Sequence, residues 1–189
     1  DLYFGDADTP ETAYCPFVLE QANRDMDNRL LINQGAVNPG YFVDESVLRM
    51  GATTPVLGGQ NLLAGWLSPR GLVADMNGDG LKDVVKICAG SGPIHIAVLT
   101  NPFVSPGYWT TESYKVVQSG AALFVSADRL NDDGRFDFVI SDDGNDKYSF
   151  NTGNDVNGAP DFTHFGLTSQ ISTDGVFSGA NLIVDLDND

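Results

Sequence analysis

The sequence contains few cysteine and basic residues. Two cysteines among 189 residues are too few for a disulfide-built scaffold, and no Cys-x-x-Cys pair predicts a zinc or redox site. Ten lysines and arginines stand against 26 aspartates and glutamates, which gives a formal net charge of −16. Nucleic acids and anionic membranes both attract basic surfaces, so this charge argues against either one as a partner.

Long apolar runs and catalytic signatures are also missing. No apolar run approaches the ~18 residues of a membrane-spanning helix, so we expect no membrane insertion. The two histidines, His95 and His164, do not neighbour a nucleophile motif, and no GxSxG, HExxH or P-loop pattern occurs. His95 lies in an alternating segment that favours a place on the polar face of a strand. We therefore predict that the chain is not an enzyme.

An internal repeat organises the chain. Three kinds of segment recur: an acidic loop at 75–83 and 131–137, a predicted third strand ending in Asn at 28–35 and 146–153, and a predicted aromatic fourth strand at 40–46 and 107–113, with a weaker copy at 161–163. Asp83 and Asp137 lie 54 residues apart. Four short strands repeating at that spacing are typical of a β-propeller blade.

The predicted fold is therefore all-β, with about 3.5 four-stranded repeats of a β-propeller. We place the repeats at 1–60, 61–118 and 119–174, followed by an incomplete one at 175–189. Strands are expected at 71–74, 83–88, 95–100, 123–127 and 136–141, with a short helix at 45–50. Because a propeller ring needs about four to eight blades, we expect the chain to be a piece of a longer protein and the remainder of its own propeller to be a partner.

Residues outside the regular repeat also carry expectations. An insertion at about 6–27 should lie outside its blade and form a partner-contact surface, unless it is an inert loop. Aromatic residues recur once per repeat, as Phe42, Trp109 and Phe162, and are expected in the core between neighbouring blades rather than in a sugar-stacking platform. Pairing of Cys15 with Cys88 stays open, because sequence cannot show how close they lie.

The loop at 75–83 has the pattern of a calcium site. Side-chain oxygens occur at its first, third, fifth and ninth positions, Gly80 allows the backbone to curl, and the seventh residue can offer a carbonyl. The predicted ligands are Asp75, Asn77, Asp79, Leu81 and Asp83. An EF-hand is excluded because its twelfth position needs a bidentate Glu and here holds Lys86. The alternative is a solvated acidic turn.

A second copy of this loop, and parts of others at the chain ends, extend the prediction. The second loop should bind calcium more weakly, because Arg129 replaces the first acidic ligand; its ligands are Asp128, Asn131, Asp133, Arg135 and Asp137. The chain closes with the first half of another such loop and opens on the last residue of one. These end positions add Asp185, Asp187, Asp189 and Asp1 as candidate metal ligands.

These motifs resemble the FG-GAP/VCBS repeats of integrin α-subunit propellers and of secreted bacterial and cartilage-acidic-protein-like proteins. The resemblance is carried by the loop at 75–83 and by the segments at 28–33 and 40–46. It implies a β-propeller with calcium in the loops between the first two strands of a blade, and an extracellular or cell-surface location. It implies no activity, because the family is mainly adhesive, structural or ligand-binding.

The expected function is thus an extracellular, calcium-binding structural or adhesion scaffold. Its partners would be calcium and another protein or a glycan at the cell surface. A carbohydrate-binding propeller is one alternative, and part of a calcium-dependent polysaccharide lyase is another. A lyase needs a basic residue facing its substrate, for which the sequence offers Lys82, Lys86, Lys115 and Lys147 without clustering them.

Overall fold

The structure is a computed structural model that describes ten segments of the chain: 2–4, 29–50, 72–88, 95–110, 113–119, 124–141, 144–163, 170–171, 181–184 and 186. The insertion at 6–27, with Cys15, lies outside these residues. So do four of the candidate metal ligands, Asp1, Asp185, Asp187 and Asp189.

Short strands make up most of the regular structure, as the β-branched and aromatic segments predict. The strands are β1 Leu2–Phe4, β2 Arg29–Asn33, β3 Phe42–Asp44, β4 Leu72–Ala74, β5 Asp83–Cys88, β6 His95–Leu99, β7 Tyr114–Ser119, β8 Phe124–Asp128, β9 Asp137–Ser141, β10 Lys147–Ser149, β11 Asn151–Asn154 and β12 Pro160–Phe162. One short helix, α1, spans Ser46–Met50, and a 3₁₀ turn spans Gly35–Val37.

The strands form four small antiparallel units, each joining strands that are consecutive in the chain. The first sheet has the order β1-β2-β3, the second sheet β4-β5-β6-β7 and the third sheet β10-β9-β8; β11 and β12 form the terminal hairpin. The prediction of an all-β fold is confirmed. The four units do not close a ring within the residues that the structure describes.

Most strands begin and end close to the predicted residues; β5, at Asp83–Cys88, agrees at both ends. The segment 107–113, predicted to be the aromatic fourth strand of its repeat, is the main error, because that strand is β7 and starts at Tyr114. A turn explains the difference: Gly107 has φ 81°, and Tyr108 N–H donates to Ser105 O at 3.1 Å. Trp109 N–H then donates to Arg49 O, at 2.7 Å, and not to a neighbouring strand.

Successive sheets pack face to face, with the second sheet in the middle. One of its faces, including Val85 and Ile96, packs against Phe138 and Ile140 of the third sheet. The opposite face, including Leu99, packs against the first sheet and α1. Burial on both faces explains why β5 and β6 read as nearly continuous apolar runs. This stacking in chain order is the arrangement that sequential β-repeats adopt.

Two of the three recurring aromatic residues lie in these cores. Phe162 stacks on Phe138 with ring centroids 4.4 Å apart, and Trp109 packs beside Leu99, to whose carbonyl its indole N–H donates. Phe42 differs, because 40% of its surface is exposed on strand β3 at the edge of the first sheet. The prediction of a core position was therefore wrong for Phe42.

Candidate metal centre

The loop between β4 and β5 curls around the side chain of Asp75. The Asp75 carboxylate accepts three backbone hydrogen bonds, of 2.8, 3.1 and 3.0 Å, from Gly78, Asp79 and Gly80. Gly80, with φ 88°, supplies the left-handed residue that the curl requires. The first position of the predicted calcium loop therefore lies inside the curl.

The third and fifth positions of the loop also fold back over it. Asn77 Oδ1 accepts the Asp79 N–H at 3.1 Å, and Asp79 Oδ1 accepts the Leu81 N–H at 2.8 Å. The Asn77 amide donates to Asp79 Oδ2 at 3.0 Å. The oxygens of these side chains are therefore hydrogen-bonded to the loop itself.

Asp83, at the ninth position, is fully buried and holds two backbone segments. One carboxylate oxygen accepts the N–H of Met76 at 2.8 Å, and the other accepts the N–H of Asn101 at 2.8 Å. Burial raises the pKa of Asp83 to about 6, and the negative charge of Asp79 adds to the rise, while the two N–H donors oppose it.

The loop also contacts the next repeat. Asn154 donates to Asn77 O at 2.7 Å, and the Asn77 amide donates to Gly158 O at 3.1 Å, which joins the loop to the terminal hairpin. The buried Asn151 side chain donates to Met76 O at 2.8 Å. The conformation of the acidic loop therefore helps to fix the contact between two repeats.

The residues of this loop fit a calcium ion by their chemistry. Three carboxylates, one amide and a backbone carbonyl form an all-oxygen donor set, which calcium prefers. In the described part of the chain, however, no three carboxylate, imidazole or thiol groups are gathered as a ready-made metal site. Burial is the main cause of the raised pKa of Asp83, and a nearby cation would favour its ionised form.

The second acidic loop also has a fully buried aspartate at its ninth position, but it has no acidic residue at its first position. Asp137, like Asp83, is fully buried and accepts two N–H groups, from Leu130 at 3.0 Å and from Asn151 at 2.7 Å. Burial also raises the pKa of Asp137. Asp128 is exposed and accepts the N–H of its neighbour Arg129 at 2.8 Å.

The remaining predicted ligands of the second loop bond within the loop. Asn131 Oδ1 accepts the Asp133 N–H at 3.0 Å, and Asp133 Oδ1 accepts the Arg135 N–H at 2.9 Å. The Arg135 guanidinium lies 2.8 Å from Asp133 Oδ2. Asp133 is thus already paired with a cation of the protein.

Sequence analysis missed the role of the asparagine that follows the third strand in two of the repeats. Asn101 and Asn151 donate their backbone N–H groups to the buried aspartates, and their side-chain oxygens accept the N–H groups of Gly107 and Gly153. The available signal was the recurring strand that ends in Asn, which predicted a strand end but not this bond.

Two of the lysines considered for catalysis have structural roles. Lys86 is fully buried on β5. The Lys115 ammonium lies 2.8 Å from Asp155 and 2.6 Å from Asp161, so it joins β7 to the terminal hairpin. Burial tends to lower the pKa of Lys115, but the two carboxylates outweigh it and the pKa is raised. Lys115 is therefore a structural cation between repeats.

An open pocket of about 320 Å³ lies beside the turn at Gly107. Its lining is rich in hydroxyl groups and includes Thr100, Val104, Ser105, Tyr108, Thr110 and Ser113. Phe103 in the same loop leaves 81% of its surface exposed. Hydroxyl groups can hydrogen-bond to a sugar, and an exposed aromatic ring can stack on one.

The chain matches no protein-family model, and no curated protein or solved structure shows significant similarity to it.

No helix among the described residues is both long and apolar enough to span a membrane.

Proposed function

We propose that the chain is an extracellular, calcium-stabilised scaffold of β-propeller repeats that serves adhesion or ligand binding without catalysis of its own. The observation that carries the proposal is the curled loop 75–83, in which three backbone N–H groups donate to Asp75 and the side chains of Asn77 and Asp79 accept N–H groups of the same loop. The resemblance to FG-GAP/VCBS repeats and the stacking of successive sheets support the same function.

Calcium would be held by side-chain oxygens of Asp75, Asn77, Asp79 and Asp83 and by the carbonyl of Leu81. When bound, the ion supplies positive charge that neutralises the carboxylates of this loop. Fixing the loop would also fix its contact with the terminal hairpin, because Asn77 is hydrogen-bonded to Asn154 and Gly158. Ordering the loop therefore stabilises the contact between repeats, which is a structural role.

Carbohydrate binding without catalysis is the second candidate. It is favoured by the hydroxyl-lined pocket around Tyr108 and by the exposed ring of Phe103. Either partner, a cell-surface protein or a glycan, suits a strongly acidic scaffold that avoids nucleic acids and anionic membranes. A polysaccharide lyase is less well supported, because Lys86 is buried and Lys115 is bound by two carboxylates.

A paired binding and activity assay tests the function. The 189-residue chain is applied to a glycan array, with calcium and with EDTA, and is incubated with acidic polysaccharides while release of unsaturated product is followed. The scaffold proposal expects no product at any calcium concentration. Product formation would overturn it in favour of the lyase, whereas glycan binding lost in Phe103→Ala would select the carbohydrate-binding form.

A further inference from the structure

The acidic loops of two successive repeats differ at the positions that decide their charge. Residues 129–137 align with residues 75–83 without a gap, and Asn, Asp, Gly and Asp recur at the third, fifth, sixth and ninth positions. Arg129 takes the first position, where the earlier loop has Asp75, and Arg135 takes the seventh, where it has Leu81.

In both loops the side chain of the first position is hydrogen-bonded to the backbone of the sixth. This side chain is the acceptor in the earlier loop and the donor in the later loop. In the earlier loop, Asp75 Oδ2 accepts the backbone N–H of Gly80 at 3.0 Å. In the later loop, Arg129 Nε–H donates to the backbone carbonyl of Gly134 at 3.0 Å. A guanidinium has thus replaced a carboxylate while the loop remains closed between the same two positions.

The second arginine is bonded to the carboxylate that calcium would need. Arg135 Nη2 donates to Asp133 Oδ2 at 2.8 Å, and Arg135 Nε donates to Asn151 O at 3.1 Å. Arg129 also lies over the ring of Phe136, with its guanidinium carbon 5.3 Å from the ring centroid. These contacts place positive charge and hydrogen-bond donors where a bound cation would otherwise act.

We propose that the loop 129–137 is closed by its own two arginines and binds no calcium, so that neighbouring repeats of one chain divide into a calcium-dependent and a calcium-independent kind. The inference rests on the proposed function, because it takes the loop 75–83 as the calcium site. It is the alternative to the weaker calcium site that the sequence predicts at Asp128–Asp137, and one set of variants decides between them.

The decisive measurement is the number of calcium ions bound per chain at equilibrium dialysis, compared between wild type and single isosteric variants. Asp79→Asn keeps an oxygen at this ligand position but removes its negative charge, so it should weaken the site of the first loop and lower the number of ions bound at subsaturating calcium. Asp133→Asn makes the same chemical change at the same position of the second loop and should leave both the count and the affinity unchanged. Loss of a calcium ion or of affinity in Asp133→Asn would overturn the proposal.

A gain-of-function variant tests whether removing the two arginines creates a calcium site in the second loop. Arg129→Asp with Arg135→Leu gives the second loop the donor types of the first and should add one calcium ion per chain. It should also make melting of the chain depend more strongly on calcium than in wild type. Arg129→Gln is the matched control: it removes the charge without adding a carboxylate, and should lower the melting temperature equally in calcium and in EDTA.

Different experimental results would contradict this inference and the proposed function. If Asp79→Asn leaves calcium binding unchanged, the calcium site of the first loop is wrong, whatever the second loop does. If Asp79→Asn and Asp133→Asn each weaken calcium binding, the function stands and the arginine-closed loop is wrong. Because Asp133→Asn preserves the shape of an exposed side chain, the test does not depend on the folding of the double variant.

Discussion

The carboxylate of Asp83 accepts a hydrogen bond from the backbone N–H of Asn101 at 2.8 Å. This bond joins the start of β5 to the chain just after β6, and the second oxygen of Asp83 holds the N–H of Met76 at 2.8 Å. The same pair of bonds recurs at Asp137 in the next repeat. The ninth residue of the acidic loop therefore braces its repeat through backbone contacts of its own.

Replacing Asp83 by Asn should destabilise the chain strongly in EDTA. An amide offers one acceptor oxygen where the carboxylate offers two, so one buried N–H would lose its partner, at a cost of about 1–3 kcal/mol. The measurement is urea unfolding. The matched control is Asp132→Asn, on an exposed residue, which should change stability by less than ~0.5 kcal/mol. Equal effects of the two changes would refute the brace.

The pH dependence of stability should reveal the buried state of Asp83. Its pKa is raised from 3.8 to about 6, so the folded chain binds the proton more tightly than the unfolded chain does. This residue's contribution is therefore fully present below about pH 4 and is lost as the pH rises through about 6. In EDTA, the stability of wild type relative to Asp83→Asn should increase as the pH falls from 7 to 4. A flat difference would contradict the assigned burial.

Shortening Phe162 should weaken the core between the second and third sheets. The ring is 7% exposed and stacks on Phe138, so Phe162→Ala leaves a cavity and should cost about 3–5 kcal/mol. Chemical unfolding measures the loss. Phe103→Ala removes an exposed ring of the same size and should have little effect on stability. A small loss for Phe162→Ala would argue against face-to-face packing of the sheets.

The ion pairs of Lys115 should contribute modestly and in a salt-dependent way. Lys115→Met leaves Asp155 and Asp161 without their cation, and the partial exposure of these side chains limits the expected loss to ~1 kcal/mol. The loss should shrink as sodium chloride is raised toward 1 M, because salt screens the interaction. Lys82→Met, on an exposed side chain, serves as the control. A loss independent of salt would indicate packing rather than charge.

The strand pattern could be predicted from sequence because the repeat is strong and the apolar runs are short. Segments such as Asp83–Cys88 are bounded by turn residues, and burial of both faces agrees with their apolar composition. The segment after Gly107 could not be predicted as a loop, since its sequence resembles the segment after Gly40, which does enter β3. The choice depends on a tertiary contact, the bond between Trp109 and Arg49.

The candidate site was only partly readable from sequence. Spacing indicated that Asp75, Asn77 and Asp79 belong to one curled loop, and the structure brings them together. Spacing could not show that Asp83 accepts a backbone N–H from Asn101, because that bond depends on the course of a strand 18 residues away. The Arg135–Asp133 pair is local, but the ligand pattern of the loop did not indicate it. The two acidic loops therefore share a spacing but differ in the contacts that close them.

The most direct test of the central claim is calorimetric titration of the 189-residue chain with calcium, compared with Asp79→Ala and with Asp132→Ala as the exposed control. Asp79→Ala removes one carboxylate from the loop 75–83 and should lower the calcium affinity of one site by ~10-fold or more, or abolish binding there. Asp132→Ala should bind calcium as wild type does. If Asp79→Ala binds calcium with wild-type affinity and stoichiometry, the loop is an acidic turn and the calcium-stabilised scaffold is contradicted.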